Sequence, residues 1–340
     1  MEKLLILTHV DDSGTALSKT SLEAVAAGVE CAQSLGAELA IGVIGAEASK
    51  AVQALAGTVA KVFVVEGDAF AQPRYASDAA ACEALCRAAG ATLVFAPSDS
   101  RFTRVIPGVA FRISGFADTH ITALANNGGL DATRWFYRQR VEAVVRRDKR
   151  PWFLLLEGGT REAYVGTGEA PQVDTVSVAL PELRTQVTGI AAPKQDEQTI
   201  RPDARLLFVA GAGWTKKQAD GQVHAEDAEK LILGFLRASD ASLGSSKSLV
   251  DQSGENQAVL KFMTHMNQIG QTGATPRHPK GLSTCCHGEE PHVVGWRFVN
   301  ERRAISLDPN CGWTRGKADV VYVADAFKVI AHVNRLLEKR

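Results

Sequence analysis

The sequence predicts an α/β protein of two domains in series, an N-terminal nucleotide-binding-like α/β domain and a C-terminal domain of flavodoxin or Rossmann type. Three observations carry this. Strand-like and helix-like runs alternate from Leu4 to Ile113, a polar stretch over 193–203 breaks the pattern, and strand–loop–helix order resumes at Arg205. A chain of 340 residues is also longer than one core usually serves. The expected boundaries are a first domain over 1–192 with a β-rich second half, a linker over 193–203, and a second domain over 204–340.

The elements follow in order. Leu4–Val10 is apolar and β-capable, and Ser18–Leu35 is helical, with Leu22, Val25, Ala26 and Val29 on one face and Gly36 as its stop. Leu39–Ile44 and Val62–Val65 are short apolar runs of the kind buried on both faces of a parallel sheet. Ser77–Ala89 is alanine-rich, opens on a Ser-Asp pair read as an N-cap, and ends at Gly90. Thr92–Ala96 reads as a strand, followed by an Ala-Pro-Ser-Asp-Ser loop and a helix over Val105–Ile113. His120–Leu124, Ala132–Tyr137, Val141–Val145 and Trp152–Leu156 form the β-rich part. In the second domain the expected elements are a strand over Arg205–Ala210, a Gly211-Ala212-Gly213-Trp214 loop and a helix over Ala225–Ala238. Strands over Val293–Val299, Arg303–Leu307 and Asp319–Val323 and a closing helix over Ala326–Leu337 complete it.

Composition narrows the function classes. With 38 basic and 38 acidic residues the net charge is zero, so nothing marks a nucleic-acid surface. No apolar run approaches the ~18 residues of a membrane span. The N-terminal apolar run is too short for a signal peptide, so a cytoplasmic location is expected. Of the six cysteines, Cys31, Cys82 and Cys86 fall in helical patterns and Cys285, Cys286 and Cys311 in a loop-rich stretch, which is not a secreted disulfide framework.

The most informative segment is Ile269-Gly270-Gln271-Thr272-Gly273. Glycines flanking Gln and Thr make a tight turn whose backbone N–H groups can point at a phosphate. Alone, such a turn is ordinary in α/β proteins. Its context is more specific. Ser246-Lys247…Val250-Asp251, Gly270-Gln271-Thr272-Gly273, His287-Gly288…Pro291-His292, Ser306-Leu307-Asp308-Pro309 and Ala324-Asp325-Ala326-Phe327-Lys328-Val329 occur in that order. This series resembles the C-terminal domain of electron-transfer flavoprotein alpha subunits. Ala96-Pro97-Ser98-Asp99-Ser100-Arg101, followed by an apolar helix, is similar to the nucleotide-fold core of the same family.

The resemblance implies FAD in the second domain. Gln271, Thr272 and Gly273, with Gly270, would line the flavin and its neighbouring phosphate atoms, and His292 matches the family histidine near the pyrimidine edge. A hydrogen-bonding or positive group there favours the anionic flavin. Ser246 and Lys247 stand where the family has Ser-Arg, His287 and Gly288 where it has Ser-Gly, and Asp325 and Ser306 on the adenosine side. The resemblance also implies a beta-subunit partner in a heterodimer and a partner dehydrogenase as electron donor.

Three departures stand out. Lys247 keeps a charge but not the planar guanidinium of the family arginine. The Gly211-Ala212-Gly213 loop lacks the family's Gly-Arg-Gly arginine. Cys285-Cys286-His287 replaces Gly-Ile-Ser. These motivate an alternative, a flavin-free structural or assembly subunit of a dehydrogenase or demethylase complex. Cys285, Cys286 and Cys311 with His278, His287 or His292 could then hold a metal or Fe–S centre. A third reading takes the first domain alone as a general nucleotide-binding module.

Other features carry plainer expectations. Arg146-Arg147-Asp148-Lys149-Arg150 reads as a solvated turn, and Glu157-Gly158-Gly159-Thr160-Arg161 as a strand-terminating loop that could cradle an anion. Cys82 and Cys86 read as half-buried packing residues. Trp214 and Trp313 could shield a flavin face or serve the core. No residue order supports a hydrolytic site, so a carrier of electrons is expected rather than a catalyst with its own substrate.

Overall fold

The computed structural model describes residues 1–136, 141–189, 200–201, 203–251, 259–270, 275–286, 298–311 and 318–339, with the backbone alone at Cys285 and Cys286. The chain divides into two compact units, Met1–Ile190 and Ala191–Arg340. Both are α/β. Apart from Ile200, Arg201 and Asp203, the expected linker lies outside the described residues.

Unit 1 runs β1 (Lys3–His9), α1 (Lys19–Leu35), β2 (Glu38–Gly45), β3 (Lys61–Glu66), α2 (Tyr75–Ala89), β4 (Leu93–Pro97), α3 (Ser100–Arg112), β5 (Phe116–Asn126), β6 (Leu130–Phe136), β7 (Val141–Val145), β8 (Trp152–Leu156) and β9 (Val173–Thr175). Its nine-stranded sheet has the order β7-β6-β5-β8-β4-β1-β2-β3-β9. β6 is antiparallel to β5 and β7, and the remaining pairings are parallel. Because side chains alternate along a strand, β1 feeds two cores. Leu4 and Ile6 join Val25, Ile41 and Phe95 on one face, while Leu5 and Leu7 join Leu85, Val94 and Phe102 on the other. Helices cover both faces, which is why these strands read as unbroken apolar runs.

Helix α1 begins and ends where its sequence says. Ser18 Oγ accepts the Ser21 N–H at 3.2 Å, and Gly36 closes the helix in the left-handed conformation. Two other helices start earlier than expected. The Ser77-Asp78 pair is not at the N-cap, which is Arg74, but lies buried within α2, where the Asp78 carboxylate accepts the Arg74 N–H at 3.1 Å and holds Arg101 Nε and Nη2 at 3.1 and 2.7 Å. α3 starts at Ser100, with Asp99 Oδ1 accepting the Phe102 N–H at 2.9 Å.

The basic run between β7 and β8 is exposed at Arg146, Asp148 and Lys149, as a solvated turn would be, but its arginines are paired. Arg147 donates to both oxygens of the buried Asp118, and Arg134 and the Trp152 indole N–H donate to the same carboxylate. Arg150 pairs with Glu2, and Arg146 with Asp131. Burial alone would raise the Asp118 pKa, but the hydrogen bonds from Arg147 and Trp152 and the guanidinium charges outweigh it and hold the carboxyl below its ordinary value.

Cys82 and Cys86 are fully buried in the second core rather than half-buried. The loop after β8 does hold an anion, but one of the chain's own: the Gly159 N–H donates to Glu23 Oε2 at 2.8 Å. Further on, the Tyr164 hydroxyl donates to the Ala56 carbonyl. Gly166 passes so close to the same turn that a Cβ would sit 2.6 Å from the Ala54 oxygen.

Unit 2 contains β10 (Leu206–Ala210), α4 (Ala225–Ser239), β11 (Ser242–Ser245), α5 (Lys247–Asp251), β12 (His278–Cys286), β13 (Val299–Ser306), β14 (Val320–Val323) and α6 (Ala326–Leu337). All pairings are parallel, in the order β11-β10-β12-β13-β14. Phe208, Trp214, Ile232, Phe235 and Ile330 form one core, and Leu207, Val209, Ile269, Phe298 and Ala304 the other.

Three expectations are corrected here. β11 and β12 are strands absent from the expected elements, and β12 takes in Cys285 and Cys286, expected in a loop-rich stretch. The strand expected at Arg303–Leu307 starts earlier, as Val299–Ser306, and residues 293–297 of the other expected strand lie outside the described set. Cys311, expected as a loop thiol, is buried and disulfide-bonded.

Candidate functional site

β10 lies between β11, reached through α4, and β12, reached from the other side. In an open parallel sheet this reversal leaves a crevice at the carboxyl ends of the two strands where the order switches, and ligands bind there. Of the expected site residues, Ser246, Lys247, Gly270, Ser306 and Asp325 are described, and each follows or ends an element at the carboxyl edge of the unit 2 sheet. Gln271, Thr272, Gly273, His287, Gly288 and His292 lie outside the described residues, as does Trp313.

The edge is built strand by strand. After β11, the Ser246 N–H donates to the Ala210 carbonyl at 2.9 Å, and its Oγ accepts the Leu249 N–H at 3.3 Å, closing the strand–helix turn. Lys247, exposed on the first turn of α5, places its Nζ 3.6 Å from Asp251 Oδ2. Ile269 is tied to β11, its N–H donating to the Ser245 carbonyl at 3.2 Å. Gly270 then turns with φ of 79°, a left-handed conformation that favours glycine, and its N–H donates to Thr275 Oγ1 at 2.8 Å. Ser306 ends β13 fully buried, its Oγ accepting the Asp308 N–H at 3.2 Å. Asp325 caps α6, with Oδ1 accepting the Phe327 N–H at 2.9 Å.

The loop after β10 is anchored rather than open. Trp214 is fully buried against Phe327. Its indole N–H donates to Thr284 Oγ1 at 2.7 Å, and that hydroxyl donates to the Val209 carbonyl at 3.1 Å. The Gly211 N–H reaches the Thr284 carbonyl at 3.1 Å. Trp214 therefore belongs to the core and is not a shield.

Sequence reasoning missed Thr284, which ties β10 to β12, and Ser245, the last residue of β11. Ser245 Oγ is buried and has no hydrogen-bond partner among the described residues. The only sequence signal for Ser245 was the doubled serine. An unpaired buried hydroxyl, a left-handed glycine turn and a lysine with one loose partner suit an acceptor-rich, anionic group such as a dinucleotide.

The metal reading fares differently. His278 is fully buried with Nδ1 at 3.0 Å from the Pro276 carbonyl and Nε2 at 2.8 Å from that of Arg201, so both ring nitrogens face backbone acceptors. A disulfide-bonded Cys311 offers no thiolate. No group of three His, Cys, Asp or Glu side chains is placed to hold a metal among the described residues.

Unit 1 has a crevice of its own at the carboxyl ends of β1 and β4, a cavity of about 340 Å³ walled by His9, Asp11, Asp99 and Arg101 among others. Its basic side chains are already engaged. His9 Nε2 lies 2.7 Å from Asp99 Oδ2, and Arg101 is held by Asp78 and the Phe70 carbonyl. That wall is poorly suited to a phosphate.

Fold and topology together define a protein of two α/β units, the second built on an all-parallel five-stranded sheet. The family model for the electron transfer flavoprotein domain matches residues 6–182, which fall in unit 1. The electron transfer flavoprotein subunit alpha of Clostridium acetobutylicum is 25% identical over 328 residues, covering 92% of this chain and 91% of that protein. The chain belongs to the electron transfer flavoprotein family and is alpha-like within it. Among the described residues no helix is long and apolar enough to cross a membrane.

Proposed function

We propose that the chain carries FAD on the carboxyl edge of its unit 2 sheet and relays electrons from a partner dehydrogenase to a downstream acceptor, as a heterodimer with a beta subunit. The observation that carries this reading is the convergence of Ser246, Lys247, Gly270, Ser306 and Asp325 on one edge of a single parallel sheet. They are separated by as many as 79 positions, from Ser246 to Asp325, and only the fold brings them together.

FAD supplies the chemistry, taking electrons as a pair and releasing them one at a time. The chain's residues hold and tune it. Gly270, in the left-handed conformation, stands directly before Gln271, Thr272 and Gly273, which would line the flavin. Lys247 supplies a positive charge whose pairing with Asp251 at 3.6 Å is loose enough to be exchanged for a flavin oxygen. His292 serves as the hydrogen-bonding group at the pyrimidine edge. Ser306 and Asp325 fix the ends of β13 and the start of α6 on the adenosine side. With lysine in place of arginine the positive charge is kept but not the stacking plane, so a potential different from that of arginine-bearing relatives is expected.

The test is spectroscopic. The full chain is purified with a beta-type partner, its visible spectrum is recorded, and the flavin is quantified after release. Flavin bands at one FAD per heterodimer support the reading. A colourless heterodimer that takes up no added FAD refutes it in favour of the structural subunit.

A further inference from the structure

Two serines end β11, and the protein uses them differently. Ser246 Oγ closes the turn into α5, whereas Ser245 Oγ, on a residue 1% exposed, has no hydrogen-bond partner among the described residues. The backbone of Ser245 is held on two sides. Its Cα pairs with Ala210 of β10, and its carbonyl accepts the N–H of Ile269, the residue before Gly270.

The direction of the side chain follows from strand alternation. A Cβ on the preceding Gly244 would lie 2.6 Å from Ile269 Cδ1, so position 244 faces the core of Leu207 and Ile269. Position 245 therefore faces the other way, toward the layer of Ala212, Trp214 and Leu249, at the strand's carboxyl end. A hydroxyl placed there and left unpaired costs about 1–3 kcal/mol. Alanine would fill the same space at no such cost, so the oxygen needs a use outside the folded chain.

We infer that Ser245 Oγ donates a hydrogen bond to an oxygen of the bound flavin nucleotide, a contact beyond the motif positions and made from a strand rather than from a loop. This rests on the reading of unit 2 as the FAD site. The donor sits between the Ser246-Lys247 turn and the Gly270 turn, so one rigid strand end links the two segments that flank the cofactor. A hydroxyl in a dry crevice donates more strongly than one in water, because no solvent competes for the acceptor.

The experiment compares wild type, Ser245→Ala and Ser245→Cys in the full chain. Each is stripped of flavin, titrated with FAD by flavin fluorescence and unfolded thermally without FAD. Opposite signs are expected. Ser245→Ala raises the Tm of the flavin-free protein, because an unpaired hydroxyl is gone, and raises the FAD Kd about tenfold. Ser245→Cys, a weaker donor of similar shape, falls between. If Ser245→Ala binds FAD as tightly as wild type, the contact does not exist, although the flavin reading stands. If its flavin-free Tm falls, the hydroxyl serves the fold and the inference is overturned. If wild type takes up no FAD, the flavin reading fails and the inference with it.

Discussion

Replacing Thr284 with valine isolates the tie that holds the first loop of unit 2. The side chains are nearly isosteric, so packing is retained while one hydroxyl is removed. That hydroxyl accepts from the Trp214 indole at 2.7 Å and donates to the Val209 carbonyl at 3.1 Å, and both Thr284 and Trp214 are fully buried. The carbonyl keeps a second lone pair, so its loss is small, but the indole N–H is left with no acceptor. An unsatisfied buried donor costs about 1–3 kcal/mol, and the central expectation is about 2 kcal/mol. For unfolding of unit 2, Ala191–Arg340, as one cooperative unit, that lowers Tm by about 4–8 °C. Urea unfolding of the full chain, with the unit 2 transition followed by near-UV circular dichroism, measures it directly. Thr284→Ser keeps the hydroxyl and loses one buried methyl, so it costs about 0.8 kcal/mol. If valine is no worse than wild type, or serine is as damaging as valine, the hydroxyl is not the tie and the loop is held by packing alone.

Other expectations follow from the same reasoning. Asp118 is held below its ordinary pKa, so its contribution is complete above the unfolded value of about 3.9 and is lost as pH falls through the folded value. Asp118→Asn should flatten the acid limb of the stability–pH curve, and an unchanged limb would refute this. Glu23 has the opposite sign. Burial, only partly offset by the Gly159 N–H, raises its pKa, so stability falls as pH rises from the unfolded value through the folded one. Glu23→Gln should remove that fall and raise Tm at neutral pH, checked by thermal scans across the acid range. Breaking the buried Asp78–Arg101 pair by Asp78→Ala should cost about 3–5 kcal/mol, read by urea unfolding. Lys247→Ala should leave urea unfolding unchanged and weaken FAD by roughly threefold to tenfold, with Lys247→Arg retaining affinity.

What the sequence made legible and what it did not divide along physical lines. α1 and α6 were plain because their information is local: Ser18 and Asp325 cap, Gly36 stops, and apolar residues recur at helical spacing. β12 was opaque because His278-Pro279-Lys280-Gly281-Leu282-Ser283-Thr284 has little intrinsic strand preference. It is a strand because β10 and β13 lie on both sides of it and satisfy its backbone. β11 is four residues with a glycine that Ile269 requires, again a demand from elsewhere in the chain. Ser77-Asp78 looked like a cap since its real partner, Arg101, lies 23 positions away. Arg147 looked like surface since Asp118 is 29 positions off. The candidate site shows the same division. The order of its motif residues was readable, whereas the doubled serine gave no hint that its two hydroxyls have different fates.

Burial governs the chemistry of the three unit 1 cysteines, because sulfur is oxidised through its thiolate. Burial pushes the Cys31 and Cys86 thiols up to about 12 and Cys82 well above its ordinary value. At neutral pH, roughly one Cys31 or Cys86 thiol in 100,000 is ionised, given values of about 12. A thiol that stays protonated reacts slowly with peroxide, so all three resist conversion to sulfenic acid, Cys31 even though it lines a cavity of about 170 Å³.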